Sequence, residues 1–270
     1  MRIFTGFLCL APFVLPKFRK IKKHHWKFFL ISGLTGNAIP AFLFTRAETG
    51  ISSSLAGILN ALTPMFTMLL SIVAFKTKLT SRQALGVFIG FAGTAMLFGF
   101  SGNTNISGEA PYAIMVILAT VCYAVSINVI RSHLHDTDPL LISGYALVTV
   151  GPFCGIYLFS TDVMSRVTDK ADVVNLVYVL ILGIMGTAIS LIYFNRLIKM
   201  TNAVFASSTT YFIPFVAVLW GLFDHEQLGW EHIISLLTIL VGVYFINKNT
   251  SEKKFSGTMP DERPHEIIGK

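Results

Sequence analysis

The sequence predicts an all-α protein, a polytopic membrane helical bundle. Hydrophobic residues make up 53% of its 270 residues and charged residues 13%, whereas a soluble domain carries about a quarter charged residues. The apolar residues form runs long enough to cross the ~30 Å hydrocarbon layer of a bilayer as helices. The alternating pattern of a transmembrane β-barrel is absent from the sequence. An internal repeat of these apolar runs, described below, supports the same fold class.

Nine helices are predicted, each bounded by short polar, glycine-rich or proline-containing segments. The first is short and ends at a basic segment, and the polar tail after Asn247 is predicted to be unstructured. In chain order the nine helices run over Ile3–Pro16, Trp26–Phe44, Ile51–Ala74, Ala84–Phe100, Tyr112–Ile130, Pro139–Ser160, Val173–Phe194, Val204–Phe223 and Glu231–Asn247.

The positions of the basic residues predict the orientation of the chain. With the segment Lys17–Lys27 placed in the cytoplasm, 17 of the 21 Lys and Arg residues lie on the cytoplasmic side, as the positive-inside rule requires. The C-terminal tail then lies in the cytoplasm. The basic segment could also bind anionic lipid or nucleic acid, but its place in this alternation favours a topology signal. We therefore expect no nucleic-acid partner.

The chain repeats itself with an offset of 150 residues. Gly33–Ala74 aligns with Gly183–Asp224 without a gap, so that the two copies share several residues at equivalent positions. Duplicated apolar segments are typical of secondary transporters, whose substrate site lies where the two halves meet. The equivalent pairs include Gly33 and Gly183, Gly36 and Gly186, Ala38 and Ala188, and Pro64 and Pro214.

The predicted fifth helix, Tyr112–Ile130, has no counterpart in the first copy. A complete unit therefore has five helices, and the chain carries two inverted five-helix repeats with the first helix missing. The units are predicted at residues 1–101 and 112–247, joined by an external linker at 102–111 and followed by a cytoplasmic polar tail at 248–270. Either Met1 is not the true start, which we favour, or the gene is truncated.

Two stretches carry a family resemblance. "SSSLAGILNALTPMFTMLLSIVAFKTKLTSRQALGVFIGFAGTAMLF" and "ASSTTYFIPFVAVLWGLFDHEQLGWEHIISLLTILVGVYFIN" resemble the paired signature of the EamA-type transporters of the drug/metabolite transporter superfamily. The resemblance implies ten helices in two inverted units, both termini in the cytoplasm, and a central cavity that opens alternately to each side. The chain departs from the family in lacking the first helix and in having Lys76-Thr77-Lys78 where an acidic residue is usual.

The polar residues predicted near the helix centres are uncharged, which suits a neutral or zwitterionic metabolite. Proline within a helix frees a backbone carbonyl, and such carbonyls line transporter cavities. Packing kinks and interhelical hydrogen bonds are the alternative roles. Tyr123 and Asn128 are included because they resemble the cavity-facing part of the family's sixth helix. The predicted substrate cavity comprises Asn37, Asn60, Thr63, Pro64, Tyr123, Asn128, Thr210, Tyr211 and Pro214.

The paired glycines are predicted to permit close helix packing. They are Gly33, Gly36, Gly183 and Gly186.

Enzyme and metal signatures are absent from the sequence. The three cysteines share no metal-binding spacing, and the turn "RSHLHD" offers His133, His135 and Asp136 without a fourth ligand. Neither a nucleotide-binding loop nor a hydrolase motif is present. We therefore expect no catalytic residue, no metal and no cofactor.

Together these patterns predict a secondary transporter that exports a small organic metabolite by alternating access across the inner (plasma) membrane. Its partners are then the metabolite and the lipid bilayer, and a homodimer is left open. The alternatives are a truncated, inactive or structural membrane protein of the same family, and a membrane-embedded enzyme. The enzyme would need clustered titratable groups at one membrane depth, which the sequence lacks.

Overall fold

The computed structural model describes residues 1–21, 23–75, 80–100, 106–161, 170–201, 203–223 and 229–255. Every regular element in these ranges is a helix, which confirms the predicted all-α bundle. Each of the nine predicted helices overlaps one helix, or a set of consecutive helices, in the structure. The first four correspond to α1 (Arg2–Val14), a 3₁₀ turn (Leu15–Lys20), α2 (His25–Gly33), a π segment (Leu34–Ala38), α3 (Ile39–Ala47), α4 (Ser53–Asn60), α5 (Thr63–Phe75) and α6 (Ser81–Phe100).

The remaining predicted helices lie in the second half of the chain. The last one continues to Phe255, eight residues beyond the predicted end at Asn247. The elements here are α7 (Ile106–His133), α8 (Pro139–Phe159), α9 (Lys170–Ile181), a π segment (Leu182–Ile189), α10 (Ser190–Met200), α11 (Ala203–Ser207), a 3₁₀ turn (Ser208–Tyr211), α12 (Phe212–Phe223) and α13 (Trp230–Phe255).

Five stretches are long and apolar enough to cross a membrane, among the residues that the structure describes. A shorter apolar helix covers Trp230–Ile246. The protein is therefore a multi-pass membrane protein. The five spans are His25–Ala47, Ser53–Ala74, Glu109–His133, Pro139–Phe159 and Asp172–Met200.

Helices that are equivalent in the internal repeat pack on each other. α6 lies against α13 and α1 against α8, while α4 lies against α12, the counterpart of α5, and α5 lies against α11, the counterpart of α4. The glycines explain the close approach. A Cβ atom at Gly242 would lie 2.6 Å from the carbonyl oxygen of Gly86, and a Cβ at Gly86 would collide with the carbonyl of Gly242. The backbones of α6 and α13 therefore touch where both helices carry glycine.

A buried cluster closes the side of the bundle that carries the basic segment. It draws residues from α1, α2, α7, α8, α10 and α11. Tyr145 is fully buried, and its hydroxyl donates to the carbonyl of Val14 at 2.7 Å. The Tyr145 ring also contacts Trp26 and Phe29, with both centroid distances at 5.3 Å. These contacts join the first and second copies at this end of the protein.

Candidate functional site

Two long spans change from α to π geometry at their midpoints. Gly36 is the middle residue of His25–Ala47, and Gly186 is the middle residue of Asp172–Met200. Both glycines lie within π segments. Because Gly36 and Gly186 are equivalent in the repeat, the two wide turns occur at the same register of both copies. The sequence predicted uninterrupted helices here.

The residues that follow these glycines are polar and buried. Asn37 is 8% exposed and Thr187 is 5% exposed. The Thr187 hydroxyl is buried and has no hydrogen-bond partner in the described part of the chain. The Asn37 amide likewise makes no hydrogen bond to a described residue. These two side chains therefore keep unused hydrogen-bonding capacity inside the bundle. Such unpaired polar groups are costly in a buried place.

The four paired glycines differ in what they contact. A Cβ at Gly33 would lie 2.7 Å from the Thr149 hydroxyl of α8, and one at Gly183 would lie 2.7 Å from Thr5 Cβ of α1. A Cβ at Gly36 would lie 2.5 Å from the Ser126 hydroxyl of α7. At Gly186 it would meet only the Leu182 side chain of the same span.

Gly33, Gly36 and Gly183 thus lie at close contacts with other helices. Gly186 contacts no other described helix. α7 covers the first copy at this register. In the described part of the chain, the second copy has no helix in the equivalent place.

The two prolines that were predicted to lie within helices instead lie just after helix breaks. In the first copy α4 ends at Asn60 and α5 begins at Thr63, so Pro64 lies in the first turn of a new helix, where proline is tolerated. The Thr63 hydroxyl donates to the carbonyl of Asn60 at 2.8 Å. That carbonyl is four residues before Pro64, so the hydroxyl replaces the N–H donor that proline lacks.

The second copy breaks at the corresponding place, through the 3₁₀ turn Ser208–Tyr211. Pro214 is buried in the first turn of α12. Ile213 stands at the position equivalent to Thr63 and offers no hydroxyl to the carbonyl of Thr210, while the Thr210 hydroxyl donates to the carbonyl of Ser207 at 2.7 Å. The side chain of Tyr211 lies outside what the structure describes.

Asn128 joins α7 to α5. Its amide nitrogen donates to the carbonyl of Thr67 at 3.1 Å and to that of Ala124 at 2.9 Å. Its amide oxygen accepts from the Ser71 hydroxyl at 2.7 Å. Both hydrogens of the amide are therefore used within the protein. Tyr123, also on α7, is half-buried with its ring centroid 6.2 Å from that of Phe44.

Charged groups lie at the ends of the spans. Glu48 directly follows α3; loss of solvent raises the pKa of its carboxyl, and the positive charge of Arg2 opposes that shift. At the C-terminal end of α7, His135 Nε2 lies 3.0 Å from an Asp136 carboxylate oxygen. The His133 ring stacks on the Phe28 ring with the two centroids 4.0 Å apart. Among the described residues no group of three potential metal ligands comes together.

The chain belongs to the EamA-like transporter family, whose pattern matches residues 1–99 and 110–248. This confirms the resemblance found in the sequence. A relative from Archaeoglobus fulgidus, named an uncharacterized transporter, is 24% identical over 215 residues, covering 79% of this chain and 75% of the relative. The uncharacterized inner membrane transporter YedA of Escherichia coli is 25% identical over 242 residues, covering 89% and 74%.

The uncharacterized transporter YoaV of Bacillus subtilis is 21% identical over 259 residues, or 94% of this chain and 87% of YoaV. A crystal structure superposes with a TM-score of 0.63 at 18% identity, covering 94% of this chain and 87% of that chain. This likeness supports the fold alone.

Sequence reasoning missed two features of the site. The predicted cavity includes Asn37 but neither Thr187, its equivalent in the second copy, nor the equivalent pair Pro40 and Ser190. The π segments were also not predicted. The available signal was the pairing of Pro40 with Ser190, two residues that both disturb helical hydrogen bonding at the same register.

Proposed function

We propose that this protein is a secondary transporter that exports a small neutral or zwitterionic metabolite across the inner membrane by alternating access. Its membership of a transporter family and the names of its relatives support the transport function. The observation that carries the mechanism is the packing of two pairs of repeat-equivalent helices, α1 with α8 and α6 with α13, together with the reciprocal contacts of α4 with α12 and of α5 with α11. Two units that meet through equivalent surfaces can rock about a shared interface.

The uncharged polar groups support the substrate class. Asn37, Asn60, Thr63 and Thr187 are all at most 8% exposed and carry no charge. Hydrogen-bonding groups of this kind can replace the water around a polar solute. They do not balance a net charge, which is costly at mid-membrane depth. Export, the cytoplasmic C-terminus and homodimer formation stay predictions.

The alternative is an inactive or structural member of the family. The observation that would favour it is that Gly186 contacts no other described helix. The other alternative, a membrane-embedded enzyme, gains no supporting feature from the described residues of the site.

Counterflow in proteoliposomes tests the proposal. Liposomes are loaded with an unlabelled pool of amino acids, of nucleosides or of dicarboxylates, and the uptake of the same labelled pool is followed. We expect saturable counterflow of a zwitterionic or neutral pool and none of the dicarboxylates. Equal, unsaturable uptake of all three pools by protein-containing and empty liposomes would favour the inactive alternative.

A further inference from the structure

The two π segments overlap in the repeat, and each is followed by a backbone N–H that donates to a carbonyl five residues earlier. The N–H of Ile39 donates to the carbonyl of Leu34, five residues earlier, and the N–H of Ser190 donates to that of Met185, also five residues earlier. An α-helix pairs residues four apart. Each span therefore carries a wide turn at its centre.

Residues 40 and 190 account for these turns by different chemistry. In a continuous α-helix their N–H groups would donate to the carbonyls of Gly36 and Gly186. Pro40 has no N–H. The Ser190 N–H donates to the carbonyls of Met185 and Thr187, and the Ser190 hydroxyl donates to the same Met185 carbonyl at 2.8 Å. The carbonyls of both midspan glycines thus lack their α-helical donor.

The second π segment also frees a side chain. Two buried threonines elsewhere in the bundle donate to the carbonyl four residues back, Thr94 to Gly90 at 3.1 Å and Thr67 to Thr63 at 2.8 Å. Thr187 is equally buried but has no such bond. Interrupted helical backbone at membrane depth is tolerated where it is covered by protein or lines a cavity, and π turns occur often at functional sites.

We infer that Pro40 and Ser190 are positioning residues, which hold the two spans open at their midpoints and so keep the Thr187 hydroxyl and the Asn37 amide available to the transported solute. The inference rests on the proposed transport function. It assigns the same task to two chemically unlike residues at equivalent positions. Exchanging them between the copies should therefore preserve the turns. Alanine at position 40 instead restores a backbone N–H, and alanine at position 190 removes the competing serine hydroxyl.

A structural test needs no substrate. Glycine precedes threonine three times in the chain, at Gly93, Gly186 and Gly257, so carbonyl-¹³C glycine combined with ¹⁵N-threonine gives three resolvable pairs in an HNCO spectrum. We expect Ser190→Ala to shift the Gly186 carbonyl resonance, and Ser190→Pro to leave it in place. The Gly93 resonance, from α6, serves as the internal control and should not move. If the Gly186 carbonyl resonance has the same chemical shift in the Ser190→Ala variant as in the wild type, the positioning role is overturned.

A transport test uses the labelled pool for which the wild-type protein shows counterflow. Losing one buried hydrogen bond to the solute should raise the half-saturating concentration by about tenfold. We expect this rise for Ser190→Ala, Pro40→Ala and Thr187→Val, with the maximal rate less affected. Ser190→Pro and Pro40→Ser, which preserve the turns, should stay close to wild type.

The two tests separate the possible failures. If the Gly186 resonance moves while the half-saturating concentration does not, the inference is wrong and the transport function stands. A wild-type protein without saturable counterflow would instead contradict the proposed function. The NMR comparison would then still decide whether Ser190 builds the turn. Loss of transport in the exchange variants, at unchanged protein yield, would also overturn the inference.

Discussion

At the scale of single residues, hydrogen-bond partners separate two kinds of polar group that the sequence could not distinguish. Asn128 and Thr187 both lie in transmembrane spans, and both are buried. Asn128 has all of its amide hydrogens engaged with α5 and α7, whereas the Thr187 hydroxyl has no partner among the described residues. The first group holds helices together, and the second is available for another molecule.

Asn128→Ala should destabilise the protein. The substitution removes the bonds between α7 and α5 and leaves the Ser71 hydroxyl without one acceptor, a loss of about 1–3 kcal/mol. Thermal unfolding in detergent measures the effect. Ser132→Ala is the matched control, because that hydroxyl bonds only to a carbonyl of its own helix in the structure, at 2.7 Å. Equal melting temperatures for the two variants would contradict the structural role of Asn128.

At the scale of elements, glycine determines how closely equivalent helices approach. α6 and α13 touch through Gly86 and Gly242, with backbone atoms of one helix where a Cβ of the other would lie. Neither helix can slide to relieve such a clash without also moving Gly93, which contacts Ile239 and Thr238 of α13.

Gly242→Leu should therefore force α6 and α13 apart. Overpacking of a tight contact costs about 1–3 kcal/mol, so we expect a lower unfolding temperature and reduced yield of folded protein. Val241→Leu serves as the control, since Val241 is the adjacent residue and is 47% exposed on the outer surface. A Gly242→Leu protein as stable as Val241→Leu would contradict the tight contact between these two helices.

At the scale of the whole molecule, the two copies are unequal around their central glycines. α7 covers Gly36, while Gly186 faces no other described helix. The span that contains Gly186, Asp172–Met200, is also the least buried of the five. The internal repeat predicts that a further transmembrane helix covers this face, in the place equivalent to that of α7.

A spin label at position 186 tests this prediction in membranes of the native host. The label is introduced as Gly186→Cys after Cys9, Cys122 and Cys154 are replaced, and its collision rate with oxygen is compared with that of Val241→Cys. Oxygen concentrates in the bilayer, so a lipid-exposed label relaxes fast. We expect the label at 186 to be protected relative to 241. Equal collision rates would mean that lipid, and no helix, covers this face.

Local sequence patterns were sufficient to predict the fold class, the order of the helices, the repeat and the family. Hydropathy and run length are local properties, and a bilayer imposes one length scale on every span; this is why Pro139–Ser160, for example, was predicted to within one residue of α8. The helix breaks at Asn60–Thr63 and Ser208–Tyr211 were predicted only as kinks, because a proline pattern does not specify where the hydrogen-bond ladder stops.

Which polar residues are engaged and which are available depends on packing in three dimensions. Two of the three partners of Asn128, Thr67 and Ser71, lie about 60 residues away on another helix. Ser126 of α7, which lies against Gly36, is likewise distant from it in the sequence. Such contacts depend on how distant helices pack, which no local pattern encodes. The π turns lie between these cases: Pro40 and Ser190 are visible in the sequence, but their common effect appears only once each span is packed and its donors are assigned.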